Sequence, residues 1–505
     1  MFAAVPSAAL LGVEGHPVTV EVHASTGLPG FTVVGLPDEV CREARDRVRA
    51  ALISSSFGWP NKRMTVNLAP SSQRKAGSGL DLAIAIGVLI ADGQIPAGCV
   101  EGFGFVGELG LDGSVRPVPG TVSLVAALAA TRPVVPAASH HEAAVIDGGR
   151  VRVAETLRGV VDSLLGDVPW PDPPDGPVPQ QDLTAVDLAD VSGQALARQA
   201  LEVAAAGGHH LLFIGPPGSG KTMLAQRLCG LLPPLEPETA LAATMVHSAA
   251  GVALPPGGLV TRAPFRAPHH TSSIVALVGG GTASLRPGEI SLAHGGVLFM
   301  DELGEFAPSV LDGLRQPLEE GVVRVARARA SATLPARFLL VAATNPCPCG
   351  GGAPGACECD DGARARYLRR LSGPLLDRFD LRVPVGRPNI EDLIVGLPGE
   401  STAMVARRVE AARDLAMRRN GCLNGAIPPP LLDTVAPLDN AAKRMLRSEM
   451  ERDLLTGRGY HRVRRVARTV ADLDASMPEA ITEQHLVMAL SFRVRLSSLR
   501  GGRAA

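Results

Sequence analysis

The chain has 505 residues, 46% hydrophobic and 20% charged, which is more than one hydrophobic core organises, so two to four domains are expected. A formal net charge of -1 excludes a global electrostatic pull toward nucleic acid or an anionic membrane and leaves any such site to local clusters. The most apolar window, Leu80 to Ala91, carries Asp81 and falls short of the roughly 20 residues a spanning helix needs, so no membrane partner is expected.

The apolar start MFAAVPSAALLGVEGH lacks a basic leader and reaches Glu14 early, which argues against a secretory signal and for a cytoplasmic location. Within residues 1–166, the short apolar runs HPVTVEVHAS and RMTVNLAP alternate with the helical patterns DEVCREARDRVRAALISS and DLAIAIGVLIADG. That alternation predicts an α/β domain. The stretch DVPWPDPPDGPVPQQD, residues 167–182, is crowded with Pro and Asp and is expected to be an extended linker.

Residues 183–392 begin with the helical pattern SGQALARQALEVAAAG and the apolar run HLLFIG. The runs GVLFMDE, RFLLVAATN and LRVPVG follow, each bounded by turn residues. Buried strands of this kind, with helices between them, predict a mostly parallel sheet covered on both faces. Residues 393–505 are helical in pattern with Arg-rich faces, and a small helical domain is expected to close the chain.

The sequence GPPGSGKT, formed by Gly215, Pro216, Pro217, Gly218, Ser219, Gly220, Lys221 and Thr222, lies between a predicted strand and a predicted helix. Glycines there let backbone N–H groups curl around phosphate, and the helix start adds a favourable dipole. Lys221 is expected to reach the β and γ phosphates of ATP and Thr222 to ligate magnesium. Asp301 and Glu302 end the apolar run VLFMDE; the first is placed beside the magnesium and the second where it would polarise an attacking water. Asn345, at the end of FLLVAATN, would share that sheet edge and orient the water. Arg378, in SGPLLDRFD, stands across the sheet from its own nucleotide and would instead insert into a neighbour's, which predicts a ring with shared sites. The alternative for Arg378 is a surface ion pair with Asp377 or Asp380.

Four of the eight cysteines, Cys347, Cys349, Cys357 and Cys359, form a C-x-C pair of pairs. Four thiolates suffice for tetrahedral structural zinc. C-x-C is a tighter bite than C-x-x-C, and a metal-free loop of reduced thiols is the other reading.

The order of GPPGSGKT, GVLFMDE, VAATN and LLDRFD, the long segment FRAPHHTSSIVALVGGGTASLRPGEISLAHGG and the later GRGYHRVRRVARTVADL together resemble the ComM (YifB) family of magnesium-chelatase-like AAA+ ATPases. The resemblance covers essentially the whole chain. It implies an AAA+ P-loop core with a C-terminal helical lid, preceded by an α/β domain like that of Lon-type peptidases. It further implies that Asn345 is the sensor-1 residue, Arg378 the arginine finger and Arg458 the sensor-2 arginine of the lid, with Arg462, Arg464, Arg465 and Arg468 close by. In the peptidase-like domain, alignment on the serine and lysine segments puts Gly79 at the nucleophile position, with Ser78 one residue early, and Val122 at the lysine position. Without a base and with a misplaced hydroxyl, no peptidase activity is expected.

The resemblance also implies a homo-hexamer that hydrolyses ATP to translocate along single-stranded or branched DNA, in branch migration during recombination or natural transformation, with recombination proteins as further partners. Local sequence agrees: EEGVVRVARARASATLPARF reads as a hairpin with Arg324, Arg327 and Arg329 at or near its tip, and TRAPFRAPHH adds Arg262, Arg266, His269 and His270. Such clusters, repeated by ring symmetry, would bind phosphates without reading sequence. Intersubunit ion pairs are the alternative for these arginines, and a protein-remodelling or metal-insertion motor is the alternative for the whole.

Overall fold

A computed structural model of the protein describes residues 1–72, 75–174, 186–281, 285–327, 330–351, 357, 359, 360, 362, 363, 366, 367, 373–387, 399–476 and 478–494. Arg329 and the second half of the expected linker, residues 175–182, lie outside the described residues.

The apolar N-terminus is a sheet strand. Strand β1 (Phe2–Leu11) pairs antiparallel with β2 (Glu14–Ser25), with Phe2 opposite His23 and Leu11 opposite Glu14. β2 continues antiparallel onto β4 (Arg63–Ala69), and β3 (Gly30–Val34) adds parallel to β4. Strand residues alternate between core and solvent, as a half-covered sheet requires. The covering element is the helix Asp81–Asp92, buried from Asp81 through Ala91. This explains the apolar window: the helix is hydrophobic all round because protein surrounds it. Its one carboxylate inside the core, Asp81, is met by Arg47 through two bonds of 2.7 and 3.0 Å. A Cβ on Gly87 would stand 2.7 Å from Val22 Cγ2, so helix and sheet approach closely because that position lacks a side chain.

After this domain Trp170 packs against Phe103 with the rings tilted and their centroids 5.4 Å apart. The first part of the expected linker is thus bound to the N-terminal core by an aromatic contact.

The second unit is built on five strands: β5 (Leu211–Ile214), β6 (Phe265–Arg266), β7 (Val297–Met300), β10 (Leu339–Thr344) and β11 (Leu381–Pro384). They are ordered β6-β7-β10-β5-β11 and all neighbours are parallel. The interior strands are buried throughout, as parallel strands covered on both faces must be. Because sequence order and sheet order differ, the loops after β5, β7 and β10 open on one crevice at the carboxyl edge of the sheet. Between β7 and β10, strands β8 (Val322–Arg327) and β9 (Ala330–Pro335) form an antiparallel hairpin.

The helical C-terminal region shares the core of this unit. Helices Ala195–Gly207, Thr402–Asn420, Gly457–Leu473 and Glu483–Ser491 pack with one face of the sheet in a single apolar cluster. The other face packs with the hairpin and with Val13 of the β1–β2 turn. The two units also meet through Gly120 N–H to Ser248 O, 2.9 Å, and Ser248 Oγ to Glu142, 2.8 Å. Among the described residues no helix is long and apolar enough to cross a membrane.

Candidate nucleotide site

The loop after β5 is shaped by glycine. Gly218 and Gly220 hold φ of 74° and 87°, where a side chain is strained, and a Cβ on Gly215 would lie 2.0 Å from the Val385 carbonyl oxygen. Lys221 follows, almost buried, and its Nζ donates to the carbonyls of Gly215 at 2.9 Å and Pro216 at 2.8 Å and stands 3.4 Å from Asn345 Oδ1. Burial lowers its pKa, and the nearby Asp301 and Glu302 oppose the shift. The amine thus stays at the crevice with its protons turned to loop carbonyls that a phosphate would outcompete as a charged acceptor. Ser219 Oγ is buried with no partner among the described residues.

At the end of β7, Thr222 Oγ1 donates to Asp301 Oδ2 at 2.7 Å and the Glu302 N–H to Asp301 Oδ1 at 2.9 Å. Glu302 itself adopts φ 51° and ψ 47°, a left-handed conformation uncommon for a residue with a Cβ and frequent at functional turns. Its carboxylate meets His270 Nδ1 at 3.1 Å. A glycine-lined cradle with an unpartnered buried hydroxyl, and a hydroxyl facing a carboxylate beside it, fit a nucleoside triphosphate with magnesium held by Thr222 and Asp301.

The arginines sort by position. Asp380 and Leu381 donate their N–H groups to the carbonyl of His210, which precedes β5. Arg378 therefore stands at the amino edge of the sheet, and the phosphate loop at the carboxyl edge. Four strand residues at ~3.3 Å each separate the edges by more than 10 Å. The two carboxylates that flank Arg378 in sequence meet other groups: Asp377 meets Arg382 at 3.6 Å, and Asp380 meets His209 at 3.3 Å and Arg462 at 3.6 Å. Arg378 pairs instead with Glu319. Burial lowers its pKa, and Arg462, Arg458 and Arg315 lower it further, so four guanidinium groups share one surface. Arg458, exposed in the first turn of Gly457–Leu473, is on that surface. Arg464 and Arg468 are not: Arg464 is buried against Asp433 and the Leu432 and Ala436 carbonyls, and Arg468 against Asp472 and the Pro478 and Glu479 carbonyls.

Of the residues expected to touch DNA, Arg262 is exposed. Arg266 has its guanidinium held by both oxygens of Glu289, at 2.7 and 2.8 Å, an ion pair within the chain. Arg324 is exposed on the hairpin and pairs with Glu320. Arg327 ends the first hairpin strand.

The thiols of Cys347, Cys349, Cys357 and Cys359 converge, their sulfurs all within 4.8 Å of one another. Cys347 and Cys349 are 3.4 Å apart, and Cys357 is 3.5 Å from each. Tetrahedral zinc with ~2.3 Å bonds would space its sulfurs by under 4 Å, so the cluster fits the ion. In the N-terminal domain, Ser78 Oγ donates to Glu108 and Val122 is fully buried.

The sequence profile of "Subunit ChlI of Mg-chelatase" matches residues 20–139, that of "Magnesium chelatase, subunit ChlI" residues 187–393, and that of its C-terminal region residues 399–493. The uncharacterised protein YifB of Escherichia coli is 45% identical over 495 residues, 96% of each chain. Competence protein ComM of Haemophilus influenzae is 43% identical over 505 residues, 99% of this chain and 98% of that one. DNA replication licensing factor mcm6 of Dictyostelium discoideum is 24% identical over 172 residues, 34% of this chain and 16% of that one.

Proposed function

The chain belongs to the ComM/YifB family of magnesium-chelatase-like AAA+ ATPases, and from that premise we propose that it works as a homo-hexameric ring whose ATP hydrolysis drives translocation along single-stranded or branched DNA. Branch migration during recombination or natural transformation is the process this serves. The observation that carries the reading is the placement of Arg378 and Arg458 on the sheet edge remote from Lys221. An arginine there completes a site only in an adjoining subunit.

In this reading Lys221 releases the carbonyls of Gly215 and Pro216 to bind phosphate, and Ser219 and the loop amides close around it. Magnesium, when bound by Thr222 and Asp301, neutralises charge developing on the phosphate oxygens. Glu302 accepts the proton of the attacking water, Asn345 orients that water, and the neighbour's Arg378 and Arg458 stabilise the transferring phosphoryl group. The similarity to a replication licensing factor and the exposure of Arg262 and Arg324 favour DNA as the substrate, with the ring as its own partner and recombination proteins acting beside it. The four-cysteine cluster holds structural zinc, and the N-terminal domain serves as a scaffold that hydrolyses nothing. ATP-dependent cleavage of unfolded casein that is lost in Ser78→Ala would contradict that last assignment.

The test is ATPase rate with and without forked DNA across ionic strength. Stimulation at low salt that fades at high salt is expected, because backbone binding releases counterions. A protein-remodelling motor is the second reading, favoured by the in-chain partner of Arg266; absence of stimulation at any salt would select it.

A further inference from the structure

The four-cysteine loop leaves the chain directly after Asn345, and its own sequence does not hold it together. From Pro346 to Cys359 the apolar side chains are those of prolines, alanines and cysteines, and glycines fill much of the rest. Such a segment buries too little apolar surface to offset the entropy of ordering it. Its conformation therefore depends on whatever draws the four sulfurs to within 4.8 Å of one another, and a bound metal supplies folding energy of that kind.

The loop folds onto the nucleotide site. Gly350 is buried at φ 75°, its N–H donates to the Cys347 carbonyl at 3.0 Å, and the next N–H, of Gly351, donates to Cys349 Sγ at 3.4 Å. A Cβ on Gly350 would stand 2.6 Å from Pro217 Cδ, so the backbone that follows the first cysteine pair rests on the phosphate loop itself. Tyr367, which follows the second pair in sequence, is 4% exposed. Its hydroxyl lies 3.0 Å from Thr344 Oγ1, at the end of β10 and next to Asn345. Its ring occupies the space left by Gly304, where a Cβ would meet it at 2.7 Å, in the turn that follows Glu302. One segment thus touches the phosphate loop, the end of the Asn345 strand and the turn after the acid pair.

We propose that the four-cysteine loop positions the ATP site: closing around zinc, it seats Gly350 on Pro217 and Tyr367 between Thr344 and Gly304, so that zinc occupancy sets nucleotide affinity and turnover. The inference rests on the zinc and ATPase readings given above. The contacts divide the expected effects. That of Gly350 acts on the loop that wraps phosphate and governs nucleotide affinity. Those of Tyr367 act beside Asn345 and Glu302, which handle the attacking water, and govern kcat. Tyr367 is a positioning residue in this role, since it acts through its neighbours.

The test uses the full-length assembled protein in excess magnesium, stripped with a zinc-selective nitrogen-donor chelator and then given back zinc. Elemental analysis reads the zinc, light scattering the assembly, and a fluorescent non-hydrolysable ATP analogue the affinity. Stripped protein that stays assembled is expected to bind the analogue roughly tenfold or more weakly, the scale of a displaced binding loop, and added zinc to restore the affinity. Where stripping takes the assembly apart, Tyr367→Ala and Tyr367→Phe at full zinc content decide. The Ala variant is expected to lose roughly tenfold in kcat with KM and zinc content near wild type, and the Phe variant, which keeps the ring against Gly304, to retain most of the rate. Unchanged affinity in stripped, assembled protein overturns the proposal, and so does a wild-type kcat for Tyr367→Ala. Either result in wild-type protein that carries its zinc and hydrolyses ATP removes the proposal alone. Wild-type protein that holds no zinc when purified without chelator removes the zinc reading and the proposal with it.

Discussion

Arg378 forms an ion pair with Glu319 of the same chain, at the sheet edge opposite the one that carries Lys221. The pair is partly exposed, at 33% and 50% for the two side chains, so it contributes little to stability. Its consequence is positional: an arginine that serves a neighbour's nucleotide must first leave Glu319. Glu319→Gln is therefore expected to keep the melting temperature within a degree or two and to raise turnover of the assembled protein by roughly two- to fivefold, as release of a pair worth about 0.5–1 kcal/mol would. A fall in turnover would show that Glu319 orients the arginine instead of retaining it.

The cysteine cluster predicts a stoichiometry. With four sulfurs converged within 4.8 Å, protein purified without chelator is expected to carry about one zinc per chain, lost in Cys349→Ser along with order in the loop beyond Asn345. Elemental analysis reads this directly. A zinc content near zero in wild-type protein would leave the cluster as reduced thiols.

Two histidines of the ATPase unit give a pH dependence. His210 Nδ1 accepts the Leu340 N–H at 3.0 Å and His294 Nδ1 accepts the Arg337 N–H at 3.1 Å, roles open only to neutral rings. Burial pushes both from the ordinary 6.5 down to about 4. The unfolded chain then binds more protons than the native one between those values. Stability should be fully present above pH 6.5 and fall as the pH drops toward 4, by at most roughly 3 kcal/mol per histidine. Asp81, raised to about 6 by burial, acts in the opposite sense but belongs to the N-terminal domain. Chemical denaturation at pH 7 and pH 5, followed by a probe in the ATPase unit, is expected to show the loss, and equal midpoints would contradict it.

Much of the site is written locally. The glycines around Lys221 and the acid pair after an apolar run can be read from sequence because a phosphate loop and a strand end depend on a few consecutive residues. Asn345 is legible for the same reason. The contact of His270 with Glu302 is not, since it joins two segments that come together only through the parallel pairing of β6 with β7, and β6 is just two residues long. Nor is Glu319, which reaches Arg378 across the hairpin insertion. The C-terminal arginines show the limit most clearly. Arg458, Arg464 and Arg468 are alike in sequence, and burial alone separates the exposed one from the two that hold backbone carbonyls. Strand β1 is not marked in the sequence by its small apolar residues, and its pairing with β2 is what defines it.

The central claim is that a site is completed by a cation from the adjoining subunit. It is tested most directly by the ATPase rate of a mixture of Arg378→Ala and Lys221→Ala proteins, each inactive alone. The first keeps an intact pocket and the second an intact arginine, so mixed rings are expected to recover a measurable fraction of wild-type turnover, against a loss of roughly a thousandfold or more in Arg378→Ala alone. Wild-type turnover by Arg378→Ala alone, or no recovery in rings shown to contain both chains, would contradict it.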